Sequence, residues 1–184
     1  MLNAAMEQKA TDGLNLRLSI ACNTAVPFML FGMSLGQVSS DAVRVMAWGI
    51  VGLIGYSLIE YAFHRWVLHG LLTADHRLHH EEPFAAHALP FSTGLSVHAG
   101  VLVMLSLWVG LDLALCITLG TSIGYALYGQ LHELVHRDPS LARRLMPMLY
   151  RHHLLHHRTG PAGEERNFGV LTTFWDRLFG TYAA

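Results

Sequence analysis

The chain has 184 residues, 52% hydrophobic and 14% charged, with a formal net charge of −1 and a mean hydropathy of +0.35. Ordinary soluble domains carry about 25% charged residues, so the composition excludes a typical water-soluble globule. The near-zero net charge excludes a basic nucleic-acid-binding surface, and the length predicts one domain, 1–184.

The first 19 residues carry Glu7, Lys9, Asp12 and Arg17 without a short apolar core. No cleavable signal peptide is expected there, and the first apolar run reads as retained. That run, Leu16 to Val38, is 23 residues long. As a helix it would reach about 34 Å, enough for a hydrocarbon core of roughly 30 Å. Pro27 and several glycines are kink points that membrane helices tolerate. Gln37 to Asp41 is a short polar turn, and Val43 to Phe63 is a second span with Glu60 near its end.

A polar, histidine-rich segment follows, His64 to Pro90. Thr73 to His80 is expected to be helical, with Leu68 to Leu72 as a second candidate and Pro83 and Pro90 as stops. Leu95 to Leu131 is then 37 mostly apolar residues, about 55 Å as one helix and too long for a single crossing. Gly110-Leu-Asp112 is the one plausible break, so two shorter spans are expected, 95–110 and 113–131. The second runs on into Gln130, His132 and His136. Arg137 to Arg144 reads as a polar link containing Pro139, Met146 to Arg158 as a second histidine helix, and Thr159 to Gly163 as a loop. Asn167 to Tyr182 is amphipathic and aromatic, and is placed on the bilayer interface, where Trp and Tyr prefer to sit.

The predicted architecture is all-α and integral to a membrane. Four transmembrane helices (16–38, 43–63, 95–110, 113–131) form two hairpins under a helical cap, 64–90 and 132–182. Two hairpins return the chain twice to one side, so the histidines after the second and fourth spans face one compartment. Lys9 is the lone lysine, and of the 12 Lys+Arg only Arg44 lies outside the N-terminus, the middle segment and the C-terminal third. By the positive-inside rule the histidine side is cytoplasmic.

The histidine pattern carries the chemistry. There are 13 histidines, as many as Asp and Glu together. His76, His79 and His80 stand at i, i+3 and i+4, as do His153, His156 and His157, and those positions share one helix face. His132 and His136 are an i, i+4 pair. His64 and His69 are five apart, which suits a helix end or bend. These ten imidazoles exceed the four to six ligands of one ion, so two ions are expected, with zinc, copper, iron and nickel all suited to imidazole. His98 and His87 read as ordinary hydrogen-bonded histidines, and His152 is ambiguous beside the better-spaced His153. Ligating imidazoles need partners for their second nitrogen. Glu60, Asp75, Glu133, Asp138 and Asp176 are the candidate carboxylates. Cys22 and Cys116 both sit in apolar runs and read as plain thiols.

His132-Glu133-Leu-Val-His136 also matches HExxH, the zinc metalloprotease pattern with glutamate as general base. An intramembrane zinc protease is thus an alternative, but a catalytic zinc takes three protein ligands, which leaves seven patterned histidines without a role.

The ordered blocks Glu60-Tyr61-x-x-His64-Arg65-x-x-x-His69, His76-x-x-His79-His80-x-x-Pro83, Tyr128-x-x-x-His132-x-x-x-His136 and His153-x-x-His156-His157 resemble the motifs of the fatty acid hydroxylase/sterol desaturase superfamily. Asn167-Phe168-Gly169, Trp175-Asp176 and Phe179-Gly180-Thr181 are similar to its C-terminal signature. Ala85 and Gly129 stand where fatty acid 2-hydroxylases tend to carry aspartate. The resemblance implies a di-iron oxygenase, with O2 as co-substrate and zinc able to occupy the sites in purified protein. It implies a membrane lipid substrate (a fatty acyl chain, a sterol-like or other lipid), hydroxylated or desaturated. Carotenoid hydroxylation is the same chemistry on another substrate. Electrons would come from a separate ferredoxin, cytochrome or reductase, since two cysteines cannot ligate an iron–sulfur cluster.

Overall fold

In the computed structural model, residues 2–37, 41–82, 91–158 and 165–184 are described, apart from the side chains of 2–12, Leu16, Asp75 and Phe91. The expected turn at 38–40, the stops Pro83 and Pro90, Ala85, His87 and the loop 159–163 lie outside the described residues.

The described residues are helical and irregular, with no strand among them. They form α1 (Leu2–Gln37), α2 (Ala42–Ala62), a π-helix (Phe63–Leu71), α3 (Thr73–Glu81), α4 (Phe91–Val109), α5 (Leu111–Arg137), α6 (Pro139–Leu145), α7 (Pro147–Arg158) and α8 (Phe174–Leu178). Among the described residues, four stretches are long and apolar enough to cross a membrane: Gly13–Gln37, Ala42–Leu71, Ser92–Val109 and Leu111–Arg137. The break between the third and fourth falls at Gly110, whose φ of +84° is left-handed and favours glycine there.

Three boundaries differ from the sequence expectation. The first helix starts at Leu2, well before the expected span at 16–38, and the stretch of it apolar enough to cross a membrane is Gly13–Gln37. The second does not end at Phe63: the chain continues without interruption into the π-helix, with Leu72 N–H donating to Val67 O at 2.7 Å. The expected polar link 137–144 is mostly α6, in which Asp138 caps the N-terminus and Pro139 opens the first turn.

The chain divides into two compact units, Met1–Gly55 with His87–Ala126, and Tyr56–Ala86 with Leu127–Ala184. In the first, Leu30, Val45, Leu115, Cys116 and Leu119 form the core. α2 and α5 meet there on a glycine seam. A Cβ on Gly120 would lie 1.8 Å from Gly49 O, and one on Gly52 would lie 2.0 Å from Ile117 O. Small residues permit such close helix approach where lipid, not water, surrounds the helices. Exposed side chains such as Phe28, Leu107 and Trp108 suit the same surroundings. Arg44 pairs with Asp112 at 2.9 Å. His98 is buried and donates from Nδ1 to Gly94 O at 2.7 Å, the ordinary core role expected of it.

Candidate metal centre

The second unit contains all ten patterned histidines. The π-helix brings His64 and His69 together. Five residues on an α-helix turn through about 140° beyond a full turn. The wider i→i+5 turn of a π-helix instead stacks positions five apart, and the two rings lie 5.1 Å apart. α3 supplies His76, His79 and His80, the last turns of α5 supply His132 and His136, and α7 supplies His153, His156 and His157.

These ten imidazoles sort into two groups of five. His64, His69, His76, His80 and His156 form one; His79, His132, His136, His153 and His157 form the other. Within each, one ring nitrogen per residue lies within 4.8 Å of all the others. The sorting is reciprocal. His64, His69, His76 and His80 come from the earlier stretch, which passes His79, the middle member of its α3 triplet, to the other group. His132, His136, His153 and His157 come from the later stretch, which passes His156 back. The two groups adjoin where His80 stacks on His157 at 4.3 Å.

Tautomers follow from the outer nitrogens. His64 Nδ1 donates to Phe168 O (2.5 Å), His69 Nδ1 to the Glu165 carboxylate (2.9 Å) and His156 Nδ1 to Arg166 O (2.8 Å). A neutral imidazole has only one N–H, so each of these three Nε2 atoms presents a lone pair inward. Yet His69 Nε2 and His156 Nε2 face each other at 3.1 Å, and His64 Nε2 faces His76 Nε2 at 2.9 Å. Two neutral rings with their protons on the outside would present two lone pairs to each other across the 3.1 Å gap, an arrangement that a bound cation would suit.

The spacings fit one. Two ligands about 2.1 Å from an ion and at right angles are about 3.0 Å apart. The Nε2 separations are 2.9 and 3.1 Å from His76 to His64 and His80. From His153 to His136 and His157 they are 3.1 and 3.0 Å. His79 Nε2 is buried with no hydrogen-bond partner, which fits a nitrogen that would face a metal ion.

Protonation is opposed as well. Burial, then the neighbouring imidazoles, lowers the pKa of His76 and His157 to about 2 and of His79 and His80 to about 4. Burial first, then neighbouring imidazoles, lowers His153, and burial lowers His156 despite its bond to Arg166 O. Neutral rings are the form that binds metal.

The C-terminal segment buries part of its length within this unit. Asn167, Phe168, Val170 and Asp176 are buried, and only α8 is helical, with Phe174, Leu178 and Phe179 exposed. Asp176 organises it. One carboxylate oxygen accepts from Phe168 N and Thr181 Oγ1, the other from Gly169 N and His152 Nε2, all within 2.8 to 3.0 Å. Burial pushes its pKa up, but the bonds from His152, Gly169, Thr181 and Phe168 outweigh that and hold it below the usual range. Arg65 donates to the Tyr61 hydroxyl, which bonds to Thr181 in turn.

The sequence-predicted carboxylates fare unevenly. Glu60 Oε1 accepts from Val170 N at 3.0 Å, while its buried Oε2 has no partner. Asp176 holds His152, which joins neither group. Glu133 pairs with Arg137 and Asp138 caps α6, so the HExxH glutamate is engaged along its own helix. The Asp75 side chain lies outside the described residues. The acceptors that do fix rings of the two groups, Glu165 and the carbonyls of Arg166 and Phe168, were missed. A backbone carbonyl leaves no residue-type signal, and Glu165 lies in no patterned block.

Comparisons with known proteins identify the family. The fatty acid hydroxylase family model matches residues 49–181, well over half of the chain, and the chain belongs to that family. It is 26% identical over 178 residues to the ceramide very long chain fatty acid hydroxylase SCS7 of Saccharomyces cerevisiae, covering 85% of this chain and 43% of that protein. It is 28% identical over 145 residues to fatty acid 2-hydroxylase of Homo sapiens, covering 72% and 38%. It is 25% identical over 141 residues to alkylglycerol monooxygenase of Danio rerio, covering 72% and 30%. The chain thus spans less than half the length of these curated relatives. Among solved structures, full-length scs7p, with only its hydroxylase domain visible, superposes with a TM-score of 0.70 at 26% identity, covering 91% of this chain and 66% of that one. All of these named relatives are enzymes that hydroxylate or oxygenate lipids.

Proposed function

We propose that this protein is an O2-dependent membrane oxidoreductase that hydroxylates a lipid, an acyl chain before other lipids, at a binuclear iron centre held by the ten histidines. The observation that carries it is the sorting of ten ring nitrogens into two groups of five, each nitrogen within 4.8 Å of the others in its group, with the outer nitrogens of His64, His69 and His156 fixed by acceptors. Two iron ions there would supply, from O2, the oxidant for an unactivated C–H bond, which no side chain can provide. The chain orients the imidazoles through Phe168 O, Arg166 O and Glu165, and its burial of His64, His153 and His156 keeps water from those rings.

The relatives' names support lipid as the substrate class. Residues 1–184 act as one catalytic body, with four helices in two hairpins and the histidine cap on the cytoplasmic side. Arginines on α6 and α7, opposed to an Arg44 already paired with Asp112, favour that orientation. Substrate enters from the bilayer, and a separate ferredoxin, cytochrome or reductase delivers electrons. Removal of a second hydrogen would give a desaturase. A protease reading is disfavoured by Glu133, whose carboxylate is taken by Arg137.

Lipid mass spectrometry of cells with and without the protein tests this. Gain of one oxygen atom marks hydroxylation, and loss of two hydrogens marks desaturation. The product should vanish without O2 and in a His136→Ala variant. Full activity after complete metal removal would overturn the mechanism.

A further inference from the structure

The two histidine groups match in number and reciprocity but differ in what stands behind them. Three of the five rings in the group of His64 are fixed from outside, all by the short stretch 165–168. That stretch is itself pinned. Asn167 adopts a left-handed φ of +62°, donates from its backbone to Thr181 O, and brackets Ala183 with its amide: Oδ1 accepts at 2.7 Å and Nδ2 donates at 3.2 Å. Asp176 binds the next two backbone N–H groups.

The group of His132 has no such support. Among the described residues, none of its five rings bonds to a carbonyl or carboxylate, and His153 Nδ1 is buried without a partner. Glu133, one residue from His132, is held by Arg137. One group therefore has three of its rings aimed and a carboxylate bonded to one of them, while the other, among the described residues, has no carboxylate bonded to any of its five rings. Partners on the outer nitrogen raise ligand basicity and fix ring direction, and losing one typically costs 10–100-fold in metal affinity. A nearby anion adds attraction for the cation.

We infer that the two metal positions are unequal. The position formed by His64, His69, His76, His80 and His156 fills first and retains its ion, the other exchanges, and Glu165 is a positioning residue that sets the difference through His69. This rests on the ten histidines being metal ligands, as proposed above.

The test is a titration of the full-length, detergent-purified, chelator-stripped protein with cobalt(II) alone. Bound metal per chain and the cobalt absorption bands are followed. Two steps separated by tenfold or more are expected, and a competing chelator should withdraw one equivalent well before the other. His132→Ala should abolish the weak step and leave the tight one. Glu165→Ala should weaken the tight step about 10–100-fold and leave the weak step in place. Glu165→Gln, which keeps an acceptor but drops the charge, should weaken it less. Glu165 is exposed, so circular dichroism and elution volume should not change. A single class of two equal sites, a Glu165→Ala effect on the weak step, or no effect at all would overturn the inequality. A folded wild-type chain that binds no cobalt would overturn the ligand reading itself.

Discussion

Asp176 shows how a residue remote from any ligand nitrogen governs the site. Its carboxylate accepts four hydrogen bonds in a position with no exposure, and one of them, from Gly169 N, fixes the peptide whose carbonyl, Phe168 O, aims His64. Asp176→Asn keeps the volume but replaces one acceptor oxygen by a donor. Leaving buried donors unmatched costs about 1–3 kcal/mol each, so about 3 kcal/mol of stability should be lost. A lower Tm of the purified protein checks this, and weaker metal retention should accompany it. The imidazoles make a second prediction at this scale. Folded, His79 and His80 take up protons only near pH 4 and His76 and His157 only near 2, whereas unfolded they do so near 6.5. Between those limits the unfolded chain binds more protons. The metal-free protein should therefore be fully stable above about pH 6.5 and lose stability steadily as pH falls below it. Thermal unfolding of chelator-treated protein at several pH values reads this directly, and a flat profile from pH 7 to 5 would contradict it.

At the scale of the element, legibility followed periodicity. Spans two to four and the helices of His76 and His153 were readable because 3.6-residue spacing and runs of apolar sequence signal them directly. The Gly110 break was readable because nothing else in 37 apolar residues could turn the chain. The π-helix was not, since its i→i+5 repeat has no propensity signature. The five-residue gap from His64 to His69 pointed only to a departure from an α-helix. α6 was hidden by its shortness, although Asp138-Pro139 is a start signal. The glycine seam between α2 and α5 yields a prediction of its own. In Gly120→Ala the new methyl would meet Gly49 O, a backbone atom that cannot rotate away. A destabilisation of about 1–3 kcal/mol is expected, seen as a reduced Tm, with Gly55→Ala, which meets nothing, as the silent control.

For the molecule as a whole, the order and spacing of the histidine blocks were enough to predict that remote segments meet, but not how they divide. The reciprocal handing-over of His79 and His156 depends on the rotation of α3 and α7, which sequence spacing leaves open. It means that neither stretch completes a ligand set alone. Stripping metal should then loosen α3 and α7 together. Hydrogen exchange should show both losing protection in parallel, with α4 unaffected, and loss confined to one of them would count against a shared centre. Binding of an ion at 1,000 times its Kd stabilises the fold by about 4 kcal/mol, ample to be seen by this measurement.

Segment 165–183 also has a place in time. Translation delivers every one of the ten imidazoles before it delivers the residues that hold His64, His69 and His156 in their tautomers. A nascent chain that has emerged as far as Arg158 holds all ten imidazoles and still lacks the hand that closes around one set of them. Under the proposed ligand reading, secure loading at that position waits for 165–183 to emerge, and a premature stop just beyond the final histidine would yield a protein complete in donors yet deprived of their aim.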